Sequence, residues 1–520
     1  MDAFSANPQS TIEQGLVFHR TGRLDQAQVV YQAILDAEPT HFDALHFLGV
    51  VFHQKGDLVR ALSFFDRAIA VFPDAAAVHS NRGLALAALR KLNAALASYE
   101  RAIALDPDEA LTHYNRGLVL QKLSQPEAAA SSYEAAIALR PRFPEAHCDR
   151  GNALLQLDHV EAAIDSYRKA IDLDPSFVEG RMNLAKAYVH AKRLDDALRI
   201  YESVLDHQPD HAEASKSKAM VHLLRGQYGL GWRGYEARER CVTYHAAHRS
   251  FGEKRWTGQE TVIGKTVLLH WEQGLGDTIQ FCRYAKLVAD LGAHVILEVQ
   301  KPLLNLMQSL EGPAEVIAHG SALPPIDLHS PLGSLPLAFA TAVDSIPAPR
   351  RYLQAAPEQV EQWREILGRK RRPRVGLAWR GNVSSWEHLR RQVPLSRLLD
   401  VLPSGLEFVA LQRELSRDDQ ELLEARTDVV AVGEKFDNFM DTAAVCEDLD
   451  LVVSVDTSVA HLSAALGRPT WILLPFSADW RWLQGRTDSP WYPTVKLYRQ
   501  PSVGDWNSVL NLVAADLAVL

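Results

Sequence analysis

The segment Asn81–Pro107, NRGLALAALRKLNAALASYERAIALDP, decides how the amino-terminal part of the chain is read. A small residue, Gly83, is followed by Ala95, an aromatic at Tyr99 and a terminating Pro107, with apolar residues at helical spacing between them. The same types return every 34 residues: Pro39, Pro73, Pro107, Pro141, Pro175 and Pro209 keep one frame. Gly15, Gly49, Gly83, Gly117, Gly151 and then Ala185 keep a second, and Tyr31, Phe65, Tyr99, Tyr133, Tyr167 and Tyr201 a third. Ala27, Ala61, Ala95, Ala129, Ala163 and Ala197 complete the set. With 26 prolines in 520 residues, such a run arises by chance on the order of once in millions. The small residue lets two helices approach, the aromatic fills the gap toward the next unit, and proline ends the pair because it cannot extend the hydrogen-bond ladder. Six helix pairs over residues 8–211, stacked as an α superhelix, are the expected fold of this region.

These positions resemble the tetratricopeptide repeat. Residues 212–260 read as a degenerate seventh unit and junction: Ala219 and Tyr235 hold the frame, but Gly226, Gly229, Gly231 and Gly234 weaken a second helix by about 1 kcal/mol each relative to alanine. Two positions before the small residue stand Asn81, Asn115, Asp149 and Asn183. A carboxamide donates to a C=O and accepts from an N–H at once, so a row of them holds an extended peptide without reading its side chains. The row resembles the asparagine ladder of the O-GlcNAc transferases, and a protein acceptor is the partner it implies. The other reading is a simply solvated face, and Glu13 and Phe47 break the pattern in the first two units.

Composition narrows the rest. A chain of 520 residues exceeds one core, and 47% apolar with 23% charged residues is globular. A net charge of −9 offers no basic footprint for nucleic acid. Cys148, Cys241, Cys282 and Cys446 lie too far apart to suggest a disulfide framework or zinc knuckle. Met1–Ser10 lacks a basic-then-apolar leader pattern, and no long apolar span occurs. A cytoplasmic protein without a transmembrane segment is expected.

All 11 tryptophans lie at or beyond Trp232, where the repeat frame disappears. Thr266–Trp271 reads as a strand running into Glu272-Gln273-Gly274-Leu275-Gly276-Asp277 and then a helix over Thr278–Leu291. Another strand follows at Val295–Val299, and strand and helix alternate to Pro349. A helical linker at 357–370 leads to strands at Arg374–Trp379, Glu407–Leu411, Val429–Val432, Leu449–Val455 and Thr470–Leu474. The expectation is an α/β region of two Rossmann-like halves, 261–356 and 371–520, with ligands at the carboxyl ends of their strands. The glycine loop is not a dinucleotide fingerprint, because Ile279 stands where the third glycine belongs.

The segment Asp456-Thr457-Ser458-Val459-Ala460-His461-Leu462-Ser463-Ala464-Ala465 resembles the donor-binding motif of the ADP-heptose lipopolysaccharide heptosyltransferases, with Ser458 in place of that family's glycine. Gly274-Leu275-Gly276-Asp277 looks like the same family's amino-terminal loop, whose aspartate is its presumed base. Arg391-Gln392-Val393-Pro394 falls where the family carries a lysine close to a tryptophan and proline. The resemblance covers roughly residues 262–520 and implies a GT-B glycosyltransferase. Repeats fused to such a region also resemble the O-GlcNAc transferases and repeat-bearing flagellin glycosyltransferases. The donor would be a nucleotide sugar, carrying ADP, UDP or CMP according to which resemblance is followed, and no cofactor or metal is implied.

The chemistry agrees with those residue types. Amides at Thr457, Ser458 and Val459 would face a departing phosphate from a helix N-terminus, but a helix end contributes only about 0.3–1 kcal/mol, up to about 2. A fixed cation is needed, and Arg391 or Arg390 can chelate phosphate bidentately. Asp456 would accept from sugar or ribose hydroxyls; in the other reading Asp456 or Thr457 merely caps the helix. His461 is either a donor to phosphate or a packing residue. Asp277 is the candidate base that deprotonates an acceptor hydroxyl, with helix capping as its other reading and His270 and Glu272 in reserve. Gln412, Glu414 and residues 432–439 are placed to meet the base. Asp448-Leu449-Asp450 imitates a metal motif but starts a buried strand. Asp479-Trp480-Arg481-Trp482 and Trp491-Tyr492 read as a lid, an acceptor wall or domain packing. The expected activity is inverting, metal-independent transfer to a protein hydroxyl; a noncatalytic scaffold and a lipid-linked or small-molecule acceptor are the alternatives.

Overall fold

In a computed structural model, the structure describes residues 8–241, 244, 251–252, 254–381 and 390–520, with side chains from residue 12 onward. The chain divides into two compact units, Met1–Ala187 and Tyr188–Leu520.

The first unit is built of antiparallel helix pairs, from Pro8–Arg20 with Leu24–Ala37 to Val160–Leu173 and the start of Val178–His190. The glycine frame has a direct steric cause. A Cβ added at Gly83 would lie 2.6 Å from the Tyr99 ring, and one at Gly117 would lie 2.5 Å from Tyr133. The aromatic therefore presses first on the glycine of its own pair, a correction to the expectation that it mainly fills the gap to the next. Contact with the next pair is made as well, by Tyr31 on Phe47 at 5.8 Å between ring centroids. A further 34-residue frame is conformational: Gly22, Gly56, Arg90, Ser124, Asp158, Lys192 and Gly226 all have positive φ in the turn between paired helices.

The second unit holds the end of Val178–His190, then Leu194–His207 and a seventh pair, Ala212–Leu224 and Tyr228–Tyr235. The glycines do not prevent that last helix. A Cβ at Gly234 would lie 2.9 Å from the Ala219 Cβ, so the missing side chain lets the two helices close. Two sheets follow. The first comprises β1 (Lys254–Arg255), β2 (Thr266–His270), β3 (His294–Val299), β4 (Glu315–Ala318) and β5 (Leu328–Pro331), in the order β1-β5-β2-β3-β4. The second comprises β6 (Arg374–Ala378), β7 (Glu407–Ala410), β8 (Val429–Ala431), β9 (Leu451–Val455), β10 (Thr470–Leu474) and β11 (Val495–Arg499), in the order β11-β10-β9-β6-β7-β8. All ladders within both sheets are parallel. The second is the doubly wound Rossmann order, whose direction reverses between β6 and β9, which opens a crevice beyond their carboxyl ends. In the first, β2 lies between β5 and β3 and is the equivalent switch.

The helix expected over Thr278–Leu291 is broken into Leu275–Phe281 and Tyr284–Asp290. The acceptors a continuous helix needs are taken by side chains: Ile279 C=O accepts from Tyr352 Oη at 2.9 Å, and Gln280 C=O from Arg283 Nε at 2.7 Å. The break lets Arg283 reach the carbonyl of Trp491 at 2.6 Å, tying the two α/β halves. The linker helix Pro357–Leu367 is fixed to the second half through Trp363 Nε1, which donates to Asp441 at 3.0 Å. Among the described residues no helix is long and apolar enough to cross a membrane.

Candidate functional site

The site is assembled from the loops after β2, β6, β9 and β10. After β2 the chain turns through Gly274 into Leu275–Phe281, with Asp277 in its first turn. Asp277 Oδ2 accepts the Gly274 N–H at 2.9 Å, so its capping role is real. Its other oxygen is ion-paired with Arg481, from the loop after β10. Gly276 is pressed against the other half: a Cβ there would lie 3.0 Å from His461 Cδ2 and 3.6 Å from Ser458 Cα.

Beyond β9, Asp456 faces Arg391 at 3.4 Å and the His461 imidazole at 3.8 Å. His461 Nδ1 lies 2.8 Å from the Tyr492 hydroxyl, and its ring stacks on Trp482. Burial, reinforced by Arg481, pushes His461 down to about 3, so the ring is neutral. Burial lifts Asp456 above the usual carboxylate range although Arg391 opposes it. Asp277 is lifted the same way, against Arg481. Asp479 goes the other way: burial would raise it, but Arg481, bound at 2.8 Å, and Arg391 outweigh burial and hold it down. Three carboxylates thus share two guanidinium groups around a neutral imidazole.

The structure thereby brings together Asp277, Arg391, Asp456 and His461, from loops up to 184 residues apart in the chain. Thr457 is the N-cap of Ser458–Ala465, its hydroxyl 3.1 Å from Ser454 Oγ, and Ser458 and Val459 open that helix partly exposed. Arg390 turns instead to His190 at 2.9 Å. Gln412 accepts the Arg380 N–H at 3.2 Å, which ties the ends of the β6 and β7 strands; the loop from Asn382 lies outside the described residues. The reserve bases are committed elsewhere. Glu272 is held by Arg238 through a buried pair at 2.8 and 2.9 Å, and His270 lies 3.2 Å from His329. Asp448 pairs with Arg374 and Arg364, and Asp450 with Lys370, at the amino end of β9 and so away from the crevice.

Arg481 and Asp479 are the site residues whose role the sequence did not disclose. Both belong to the segment read as lid or packing, and packing is also present: Trp480 meets Trp232 and Trp491 edge to face. In the first unit the ladder side chains bind the preceding repeat. Asn81 Nδ2 lies 2.9 Å from His46 Nε2, Asp149 accepts from Tyr114 Oη at 2.8 Å, and Asn183 Nδ2 lies 3.5 Å from Cys148 Sγ, each across 35 residues. Asn115 is half-buried in the same row.

Sequence profiles described as tetratricopeptide repeat match residues 12–70, 114–176 and 154–221, and one described as TPR repeat matches 88–124. Protein FlbA of Caulobacter vibrioides (strain ATCC 19089 / CIP 103742 / CB 15) is 29% identical over 328 residues, covering 58% of this chain and 54% of its own length. The chain thus spans about half the length of that curated relative. Among solved structures, MamA is 25% identical with a TM-score of 0.30, covering 31% of this chain and 94% of its own. YrrB, described as a TPR protein with an unusual peptide-binding site, is 22% identical with a TM-score of 0.34, covering 36% and 97%. PilF of Pseudomonas aeruginosa is 20% identical with a TM-score of 0.37, covering 41% and 96%. Residues 12–221 of the chain carry tetratricopeptide repeats and form a protein-interaction scaffold.

Proposed function

We propose that the α/β region is a glycosyltransferase that moves a sugar from a nucleotide-sugar donor to a serine or threonine hydroxyl of a protein recruited by the repeats. The observation that carries the reading is the meeting of the Gly274–Asp277 loop of one half with Ser458 and His461 of the other, His461 lying beside the Arg391–Asp456 pair, at the carboxyl ends of β2, β6 and β9. That is where a doubly wound sheet binds ligands. Arg391 and the first amides of Ser458–Ala465 hold the donor phosphate, and neutral His461 donates a hydrogen bond rather than a charge. Asp277 takes the acceptor proton as the acceptor oxygen forms its bond to the anomeric carbon. The bond from that carbon to the phosphate oxygen breaks, its electron pair leaving on the phosphate, so the configuration inverts. No residue in this scheme calls for a metal.

Screening ADP-, UDP- and CMP-sugars by thermal unfolding tests the reading. Saturation at 100 times Kd stabilises a protein by about 2.7 kcal/mol, and one of the three classes is expected to raise Tm while the others do not. Failure of all three at millimolar concentration refutes the proposal. One observation favours the noncatalytic alternative: both Asp277 oxygens already have partners. Donor hydrolysis by the purified chain decides between them.

A further inference from the structure

We propose that a cavity walled by the seventh helix pair is the acceptor subsite, and that it admits a serine- or threonine-bearing segment of polypeptide. The inference rests on the glycosyltransferase reading and adds a location and an entry wall to it. The cavity has a volume of about 320 Å³ and is lined by Lys216, Met220 and Tyr235 from the seventh pair, Gln273 from the loop after β2, and Trp480 and Arg481 from the loop after β10. Its inner end is chemically equipped. Arg481 is the guanidinium that binds Asp277 and Asp479 together, and Gln273 immediately precedes Gly274, whose amide holds the other Asp277 oxygen. A hydroxyl arriving at this end meets Arg481 and Gln273, the ion-pair partner and the loop neighbour of the group proposed to take its proton. The same step follows: its oxygen bonds to the anomeric carbon, the phosphate leaves with the electron pair of the broken bond, and the proton passes to Asp277.

The walls suit a polypeptide. Tyr235 and Trp480 present ring surfaces with centroids 6.3 Å apart, and Gln273 is fixed by donating to the Tyr235 hydroxyl at 2.6 Å. Aromatic walls with a few fixed polar groups are what a specific pocket of this size displays. The outer rim is softer: Met220 is 36% exposed, and Lys216 pairs with Glu213 one turn away in its own helix, at 2.6 Å. Methionine adapts to varied partners, and repeat helix pairs are surfaces on which polypeptide docks. The volume far exceeds one hydroxymethyl group, so flanking backbone enters with it.

The test uses the full chain, the nucleotide sugar found by thermal screening, and a pool of synthetic serine- and threonine-containing peptides with labelled sugar. Met220→Trp fills the rim and is expected to cut transfer about tenfold or more, with the donor-induced Tm shift unchanged. Lys216→Trp, from another point of the rim, gives the same result if the first variant folds poorly. Unchanged transfer in folded Trp variants overturns the subsite while leaving the glycosyltransferase reading intact. So does a label that reaches water or small alcohols and no peptide. A wild-type chain that binds no nucleotide sugar instead removes the underlying reading, and this proposal with it.

Discussion

Asp277 has two carboxylate oxygens, one fixed by a backbone amide and the other by a guanidinium. That arrangement orients the carboxylate proposed as base and also sets its proton affinity. Burial raises Asp277 above its ordinary 3.8 and Arg481 restrains the rise. As the proposed base, Asp277 would work in its charged form, so kcat/KM should fall with decreasing pH through a limb lying above 3.8. Arg481→Met removes the restraint and should move that limb to higher pH, as a pH–rate profile will show. Asp277→Asn should lower transfer by about 10²–10⁴-fold while the donor-induced Tm shift survives. His461, pushed to about 3, adds no limb near neutrality. The upward shift of Asp277 also has a folding consequence of fixed sign. The native state holds its proton longer than the unfolded chain, so this group's contribution to stability declines as pH rises from 3.8 to the raised value. Asp277, Arg391, Asp456 and His461 were legible because each sits in a short local motif. Arg481 was not, because its partner is 204 residues away and its neighbours are tryptophans that announce packing.

At the level of the helix pair, the glycine frame was legible and the turn frame was hidden. Positive φ is held by glycine at Gly22, Gly56 and Gly226, but by Arg90, Ser124, Asp158 and Lys192 in the units between, so residue type concealed a constant geometry. An L-residue in this conformation costs roughly 1–2 kcal/mol, part of which glycine returns as chain entropy. Ser124→Gly is therefore expected to stabilise the protein by about 0.5–1 kcal/mol in denaturant unfolding. Gly117→Ala should do the reverse, since its new methyl meets the Tyr133 ring at 2.5 Å, and overpacking costs about 1–3 kcal/mol. Gly229→Ala provides the contrast. Nothing lies within 4 Å of its added Cβ, so helix propensity alone should yield a gain of about 0.5–1 kcal/mol. The break between Phe281 and Tyr284 escaped the sequence for the opposite reason: apolar periodicity continues across it, and the carbonyls are taken by side chains, Arg283 from within the break and Tyr352 from far along the chain.

On the scale of the whole chain, the alternation of strands and helices made two α/β halves readable, whereas strand order emerges only from pairing. β11 was missed because it is a short edge strand in which the exposed Lys496 interrupts a run of buried residues. Repeat arrays transmit a lesion mainly to neighbouring units. The Gly117→Ala defect should accordingly accelerate amide hydrogen exchange in the helices around Ala110–Leu139 and leave β9 and β10 as protected as before. The surplus of acid over base has a separate consequence. The chain carries a net charge of −9, and among the described residues the crevice ion pairs set Asp277, Asp456 and Asp479 against Arg391 and Arg481. A phosphorylated guest entering there makes ionised carboxyls less comfortable still, so the complex should recruit protons from the medium as it forms. Titration calorimetry in buffers of differing ionisation enthalpy would register that uptake as a heat that depends on the buffer, and affinity should improve on mild acidification.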